Sequence, residues 1–149
     1  MNELHLVRNS GTQTYSALCF FRTYQEKNIR FLALQIKSDS VLQPSNDTNE
    51  PQYLPHLEFR VPLSSDLDNN QSFQIQEDPN LSDIYCLEHQ SAKKFHLKII
   101  DTSNPQKINI SLTASATDPI YYDGSKPDAT YEISGIFDLL DKAGTWNIF

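Results

Sequence analysis

The densest group of oxygen-bearing side chains is the segment 66–70, which reads Asp-Leu-Asp-Asn-Asn. Asp66, Asp68 and Asn70 offer oxygen ligands at alternate positions, as a hard cation such as calcium requires. The glycine and the distal glutamate of an EF-hand loop are missing, because Gln71 and Ser72 come next. The same residue types also favour ordinary turns. The segment therefore predicts either a calcium site at Asp66, Asp68 and Asn70 or a plain turn, and calcium is the one cofactor that the sequence suggests.

Tyrosines in polar segments supply a second kind of candidate site. Tyr121 and Tyr122 directly precede Asp123 and Gly124, and Tyr53 lies in another polar segment. A tyrosine ring combines flat apolar area with a hydrogen-bonding tip, which suits stacking on a sugar ring or a peptide. We therefore predict that Tyr53, Tyr121, Tyr122 and Asp123 bind a ligand. The alternative is that these tyrosines pack their loops onto the edges of a sheet.

Patterns typical of catalysis are scarce. His56 and Glu58 would share one face of a strand, but the apolar residues of 57–61 are expected inside, so both are predicted to face water. None of the four histidines shows the spacing of a zinc site. The four glycines are too few to suggest a phosphate loop or a nucleophile elbow, because those turns need glycine. Cys19 and Cys86 lie in apolar stretches and are predicted to be buried free thiols, the alternative being a disulfide in an exported form. An enzyme is therefore not the favoured interpretation.

Charge and length limit the partners. The chain has 149 residues, the length of one ordinary domain, and a formal net charge of −7. Such a surface repels phosphate backbones and anionic membranes, so neither a nucleic acid nor a membrane is expected as a partner. The first residues show no basic segment followed by an apolar run, and no stretch reaches the ~20 apolar residues of a membrane span. A cytoplasmic protein is expected.

An alternation of apolar and polar residues predicts the elements that position these side chains. The period is two almost everywhere, as in antiparallel strands that bury one face. The segment 38–56 contains three prolines and is predicted to be a surface loop, and Asn9-Ser10-Gly11 to be a hairpin turn. The spacing predicts one β-sandwich over residues 1–149, jelly-roll or immunoglobulin-like, with about ten strands. The clearest alternating runs are 32–37, 57–61, 95–99 and 108–113.

The C-terminal segment is ambiguous. Ser134 is a candidate N-cap for a short helix whose apolar face would include Phe137 and Leu140, ending at Gly144. A strand followed by a turn fits the same residues. After it, residues 145–149 are predicted to form a closing strand with Trp146 as its anchor.

Long polar loops on a rigid sheet are where binding surfaces lie, and edge strands can pair with another chain. The sequence therefore predicts a small, non-enzymatic binding or assembly module that recognises a protein partner or associates with itself. One alternative is a lectin-like module that binds carbohydrate, with or without calcium. The other is an enzyme that uses His56, Glu58 or a cysteine–histidine pair.

Overall fold

The computed structural model describes residues 2–140 and Trp146, and within them all regular structure is β. The ten strands are β1 (Asn2–Arg8), β2 (Gly11–Glu26), β3 (Ile29–Gln43), β4 (His56–Leu63), β5 (Ser72–Gln76), β6 (Ser82–Tyr85), β7 (His89–Gln90), β8 (Lys94–Asn104), β9 (Lys107–Ala116) and β10 (Ala129–Leu139). The prediction of about ten strands is confirmed.

The strands form one open sheet in the order β5-β8-β9-β10-β1-β2-β3-β4-β6-β7. Neighbours in this order are antiparallel, as the alternating pattern predicts. A short parallel pairing also joins Asp138 and Leu139 of β10 to Phe20 and Phe21 of β2. Among the described residues β5 and β7 are therefore the edge strands.

The hydrophobic core lies on one face of this sheet. Leu57, Phe59 and Val61 alternate inward on β4 and are buried, as predicted. The rings of Phe59 on β4 and Phe95 on β8 have centroids 5.0 Å apart, although β9, β10, β1, β2 and β3 lie between these strands in the sheet. The sheet therefore curves until the inner faces of its two halves touch.

Tight turns connect the hairpins that start the chain. Asn9 and Ser10 join β1 to β2, where the sequence predicts a hairpin. Lys27 and Asn28 join β2 to β3 with φ values of 50° and 66°. These left-handed values are those of a type I′ turn, whose twist matches the twist of the strands it connects.

The short helix considered near the C-terminus is a strand. β10 runs through Ser134 to Leu139, and Phe137 is buried while Ile136 on the opposite face is exposed. The helix prediction is wrong because β9 and β1 supply backbone partners along β10, which the local sequence does not reveal. The predicted closing strand over 145–149 lies outside the described residues, except for Trp146.

Two further expectations concern cysteines and membranes. Cys19 and Cys86 are free and buried, as predicted. In the part of the chain that the structure describes, no helix has the length and apolarity needed to span a membrane.

Candidate binding surface

Four connections leave the sheet at the same end, which we call the long-loop end. It consists of residues 9–10, 44–55, 86–88 and 117–128. The strand register places these connections together, because the partner pairs nearest to them are Val7–Thr130, Thr14–Gln43 and His56–Tyr85. Two of these connections, 44–55 and 117–128, are long loops, and the structure shows what holds them.

A buried arginine joins the two long loops to the sheet. Arg8 Nε donates to both carboxylate oxygens of Asp118, at 3.2 and 3.0 Å. Its Nη1 lies 2.7 Å from Glu50 Oε2 and donates to Gln13 Oε1 at 2.9 Å. The side chains of Arg8, Glu50 and Asp118 are 1%, 7% and 2% exposed. One guanidinium therefore ties β1 to both long loops through ion pairs that are almost fully buried.

The surroundings of Arg8 keep it charged and keep the nearby thiol neutral. Burial alone would lower the pKa of Arg8, but its interactions with the carboxylates of Asp118 and Glu50 outweigh burial and raise that pKa above its usual value. Burial raises the pKa of Cys86 to about 12 and that of Tyr15 to about 12. Cys86 is thus protonated at neutral pH and is a poor nucleophile.

Two more contacts fasten the long-loop end. Asn46 Nδ2 donates to the Ser10 carbonyl at 2.8 Å, which joins the 44–55 loop to the β1–β2 turn. Gln90 Nε2 donates to the Thr117 carbonyl at 2.9 Å, and the Thr117 N–H donates back to Gln90 Oε1 at 3.1 Å. These contacts, together with Arg8, make the two long loops part of one connected surface.

Tyr122, a predicted ligand-binding residue, packs one connection against another. Its hydroxyl accepts from the backbone N–H groups of Leu87 and Glu88, at 3.3 and 3.0 Å, and donates to the Glu88 carbonyl at 2.9 Å. This arrangement holds the 117–128 loop on residues 86–88. Tyr122 thus packs a loop, which is the alternative to ligand binding that we considered for these tyrosines.

The other predicted ligand-binding residues lie at the same end. Tyr53 and Tyr121 are half-buried in the two long loops. The Lys126 Nζ lies 5.4 Å from the centroid of the Tyr121 ring. Asp123 Oδ1 accepts from the Ser125 N–H at 3.0 Å, and this hydrogen bond lowers the pKa of Asp123. The structure thus brings Tyr53, Tyr121, Tyr122 and Asp123 to one end of the sheet, with Asp123 stabilising its own turn.

The predicted calcium ligands lie in the β4–β5 connection, at the opposite end of the sheet. Asp66 Oδ1 lies 2.6 Å from Arg30 Nη1. Asp68 Oδ1 accepts from the next backbone N–H at 2.8 Å. Asn70 has a left-handed φ of 67°, and its N–H donates to the Ile99 carbonyl at 2.8 Å. Among the described residues no group of three or more His, Cys, Asp or Glu side chains is arranged to hold a metal ion.

Glu58 does not face water, so that prediction is wrong. It is fully buried, accepts a hydrogen bond from Gln35 Nε2 at 3.0 Å and lies 3.7 Å from His56 Nε2. The alternating pattern correctly assigns Glu58 to the outer face, but part of that face is covered as well. The Trp146 ring lies there, with its centroid 4.9 Å from the Arg22 guanidinium.

A second ionisable pair lies beside Glu58 on the outer face. Asp83 is the register partner of Glu58, and its carboxylate oxygens lie 2.9 and 3.0 Å from His89 Nδ1. The His89 ring also packs on Tyr85, with centroids 4.4 Å apart. His56 and Glu58, on which the enzyme alternative depends in part, therefore lie next to a second acid–base pair, Asp83–His89, that the sequence did not single out.

Comparison of the chain with family models, with curated proteins and with solved structures gave no match. Sequence reasoning missed Arg8, Glu50 and Asp118 as the residues that organise the long-loop end. The available signal was the alternation of β1, because Arg8 shares the inward face of Leu4 and Leu6. An inward arginine needs buried carboxylate partners.

Proposed function

We propose that this protein is a non-enzymatic binding module whose long-loop end recognises a protein partner or a second copy of the chain. The observation that carries the proposal is the buried bridge from Arg8 to Glu50 and Asp118. Loops that are already ordered lose less conformational freedom on binding, so more of the contact energy becomes affinity. The scaffold is a β-sandwich, which the contact between Phe59 and Phe95 supports.

Exposed apolar side chains supply the contact area at this end. Leu54 and Leu87 are each 45% exposed, and Tyr85 is also exposed. Leu54 precedes β4 and Leu87 follows β6, and His56 and Tyr85 at the ends of these strands are register partners. The two leucines therefore leave the sheet side by side. Apolar and aromatic side chains on a rigid surface with polar surroundings are typical of protein interfaces.

The first experiment measures the solution mass by light scattering over a concentration series. It compares the wild type with the double variant Leu54→Asp/Leu87→Asp and with Ile100→Asp. Ile100 is a matched control, because it is 44% exposed on β8, away from the long-loop end. A concentration-dependent oligomer that the double variant abolishes, and Ile100→Asp does not, supports self-association through this end.

If the wild type is a monomer, the same three proteins are immobilised and the proteins that they retain from the source cells are compared. A partner that binds the wild type and Ile100→Asp, but not the double variant, supports the proposal. An oligomer or a partner that is unaffected by the double variant contradicts it.

A carbohydrate-binding module is the second candidate, supported by the position of Tyr53 and Tyr121 in two loops at the same end. Both rings are half-buried, which leaves part of each for stacking on a sugar. The test is a glycan-binding screen with and without calcium, followed by Tyr53→Ala and Tyr121→Ala. Glycan binding that both variants weaken would favour this candidate, and binding that neither variant changes would reject these two tyrosines as its site.

A further inference from the structure

A depression of about 370 Å³ lies on the outer face of β5, β8, β9 and β10. Lys94 and His96 of β8 line it, together with the hydroxyls of Thr113, Ser115 and Thr130. We infer that this depression, which we call the β8 depression, binds the phosphate or sulfate group of a small hydroxyl-rich ligand such as a sugar ester. The inference does not depend on the function proposed for the long-loop end.

The strand register arranges the polar side chains as a grid. Lys94 pairs with Ser115 and His96 pairs with Thr113, and Thr130 follows Ser115 on the next strand. Side chains on neighbouring strands lie about 5 Å apart, and those two positions apart on one strand lie roughly 7 Å apart. Donors at these spacings surround a tetrahedral oxyanion and reach the hydroxyls next to it.

The charges in and around the β8 depression also favour an anion. In the described chain, neither Lys94 nor His96 forms a hydrogen bond, an ion pair or a ring contact, and no carboxylate lines the depression. Lys93, next to Lys94 in the chain, pairs instead with Asp128, and Lys107 pairs with Asp138. Two cationic or hydrogen-bond-donating groups without a carboxylate are therefore available to an anion, and an anion can satisfy both.

Two glutamines of the edge strand β5 form another side of the β8 depression. Gln76 and Gln74 of β5 are the register partners of Lys94 and His96, and both glutamines line the depression. Amide groups donate to and accept from sugar hydroxyls. The volume is near the lower end of the roughly 300–1,000 Å³ range of ligand pockets, which suits a monosaccharide-sized ester and not a polymer.

The carboxylate of Glu132, next to the β8 depression, allows a second test of anion binding. Glu132 is the register partner of Thr113 on β10 and lies just outside the lining. Its carboxylate opposes an anion in the depression, so Glu132→Gln should strengthen binding. A substitution that only disturbed the structure would weaken binding, so tighter binding by Glu132→Gln would point to the charge.

The experiment is an amide NMR titration of the full chain in about 0.1 M salt with glucose 6-phosphate, glucose 6-sulfate and glucose. We expect shifts at the amides around Lys94, His96 and Ser115 with one or both esters, and none with glucose. Lys94→Gln should weaken ester binding about three- to tenfold, and Glu132→Gln should strengthen it up to about threefold.

Lys98→Gln is the matched control. Lys98 faces outward on the same strand but lies outside the lining, roughly 13 Å from Lys94 and beyond the screening length of about 10 Å. The affinity of the Lys98→Gln variant for either ester should stay within about twofold of the wild-type affinity. The ester that shifts the amides at lower concentration distinguishes phosphate from sulfate. The inference is overturned if glucose causes the same shifts, if neither ester binds by about 20 mM, or if Lys94→Gln binds as well as Lys98→Gln.

Discussion

Replacing Arg8 by methionine tests whether the buried ion pairs hold the long-loop end. Methionine keeps an unbranched side chain in the space but removes the contacts to Asp118, Glu50 and Gln13. Two carboxylates then remain in surroundings where they are almost fully buried. Removing one partner of a buried pair costs about 3–5 kcal/mol, because the other charge is left without compensation. We therefore expect the free energy of unfolding to fall by about 3–5 kcal/mol.

Arg30→Met is the control, because it removes an ion pair that is equally short but exposed to water. Arg30 Nη1 lies 2.6 Å from Asp66 Oδ1, as short as the 2.7 Å contact between Arg8 and Glu50. The side chains of Arg30 and Asp66 are, however, 46% and 92% exposed. Exposed pairs contribute about 0–1 kcal/mol, since water competes for both charges. Urea unfolding followed by circular dichroism should show this small loss for Arg30→Met.

Hydrogen exchange adds a local measurement. The Ile120 N–H donates to Asp118 Oδ1 at 2.9 Å, so its exchange reports on the 117–128 loop. Arg8→Met should accelerate exchange at Ile120, whereas Arg30→Met should leave it unchanged. If Arg8→Met costs no more free energy than Arg30→Met, the reasoning that burial makes this cluster hold the loops is refuted.

Three further predictions concern the core and its ionisable groups. Phe59→Ala should lower the free energy of unfolding by about 3–5 kcal/mol in urea, because it leaves a cavity in a fully buried site; a loss below about 1 kcal/mol would contradict the packing. Tyr131→Phe should leave the stability unchanged or raise it by up to about 1 kcal/mol, because the buried Tyr131 hydroxyl makes no hydrogen bond with the described residues. Tyr15→Phe should instead cost about 1 kcal/mol, because the Tyr15 hydroxyl accepts a hydrogen bond from Gln13 Nε2 at 3.0 Å. Equal effects of Tyr131→Phe and Tyr15→Phe on the free energy of unfolding would contradict this difference in hydrogen bonding. Burial raises the thiol pKa of Cys19 from 9.0 to about 11 and that of Cys86 from 9.0 to about 12. The folded protein therefore retains protons that the unfolded chain loses, so stability should decrease as pH rises from 9 through these values. Replacing both cysteines by alanine should flatten the decrease, and an unchanged slope would argue against these pKa shifts.

Much of the fold could be predicted because strand alternation is local. The positions Leu57, Phe59 and Val61 identify an inward face without knowledge of any other strand, and all three are buried. The apolar residues near Phe137 were ambiguous, since a short run fits a helix or a strand. These residues form a strand because β10 pairs with β9 and β1.

The candidate site was harder to predict because it depends on residues that are distant in sequence. Tyr122 was recognisable as a loop tyrosine, but its bonds to Leu87 and Glu88 come from a segment 34 or 35 residues away. Its role in fastening two loops follows from the fold and from nothing in its own neighbourhood.

The sequence by itself determined the all-β class, the inward face of the strands and the net charge of −7. Only the tertiary structure decided that Glu58 is buried and that Arg8 contacts Asp118, which lies 110 residues further along the chain. Alternation reports which side chains share a face, since the strand period is two. What covers that face, and which charges meet there, depends on how distant segments pack together.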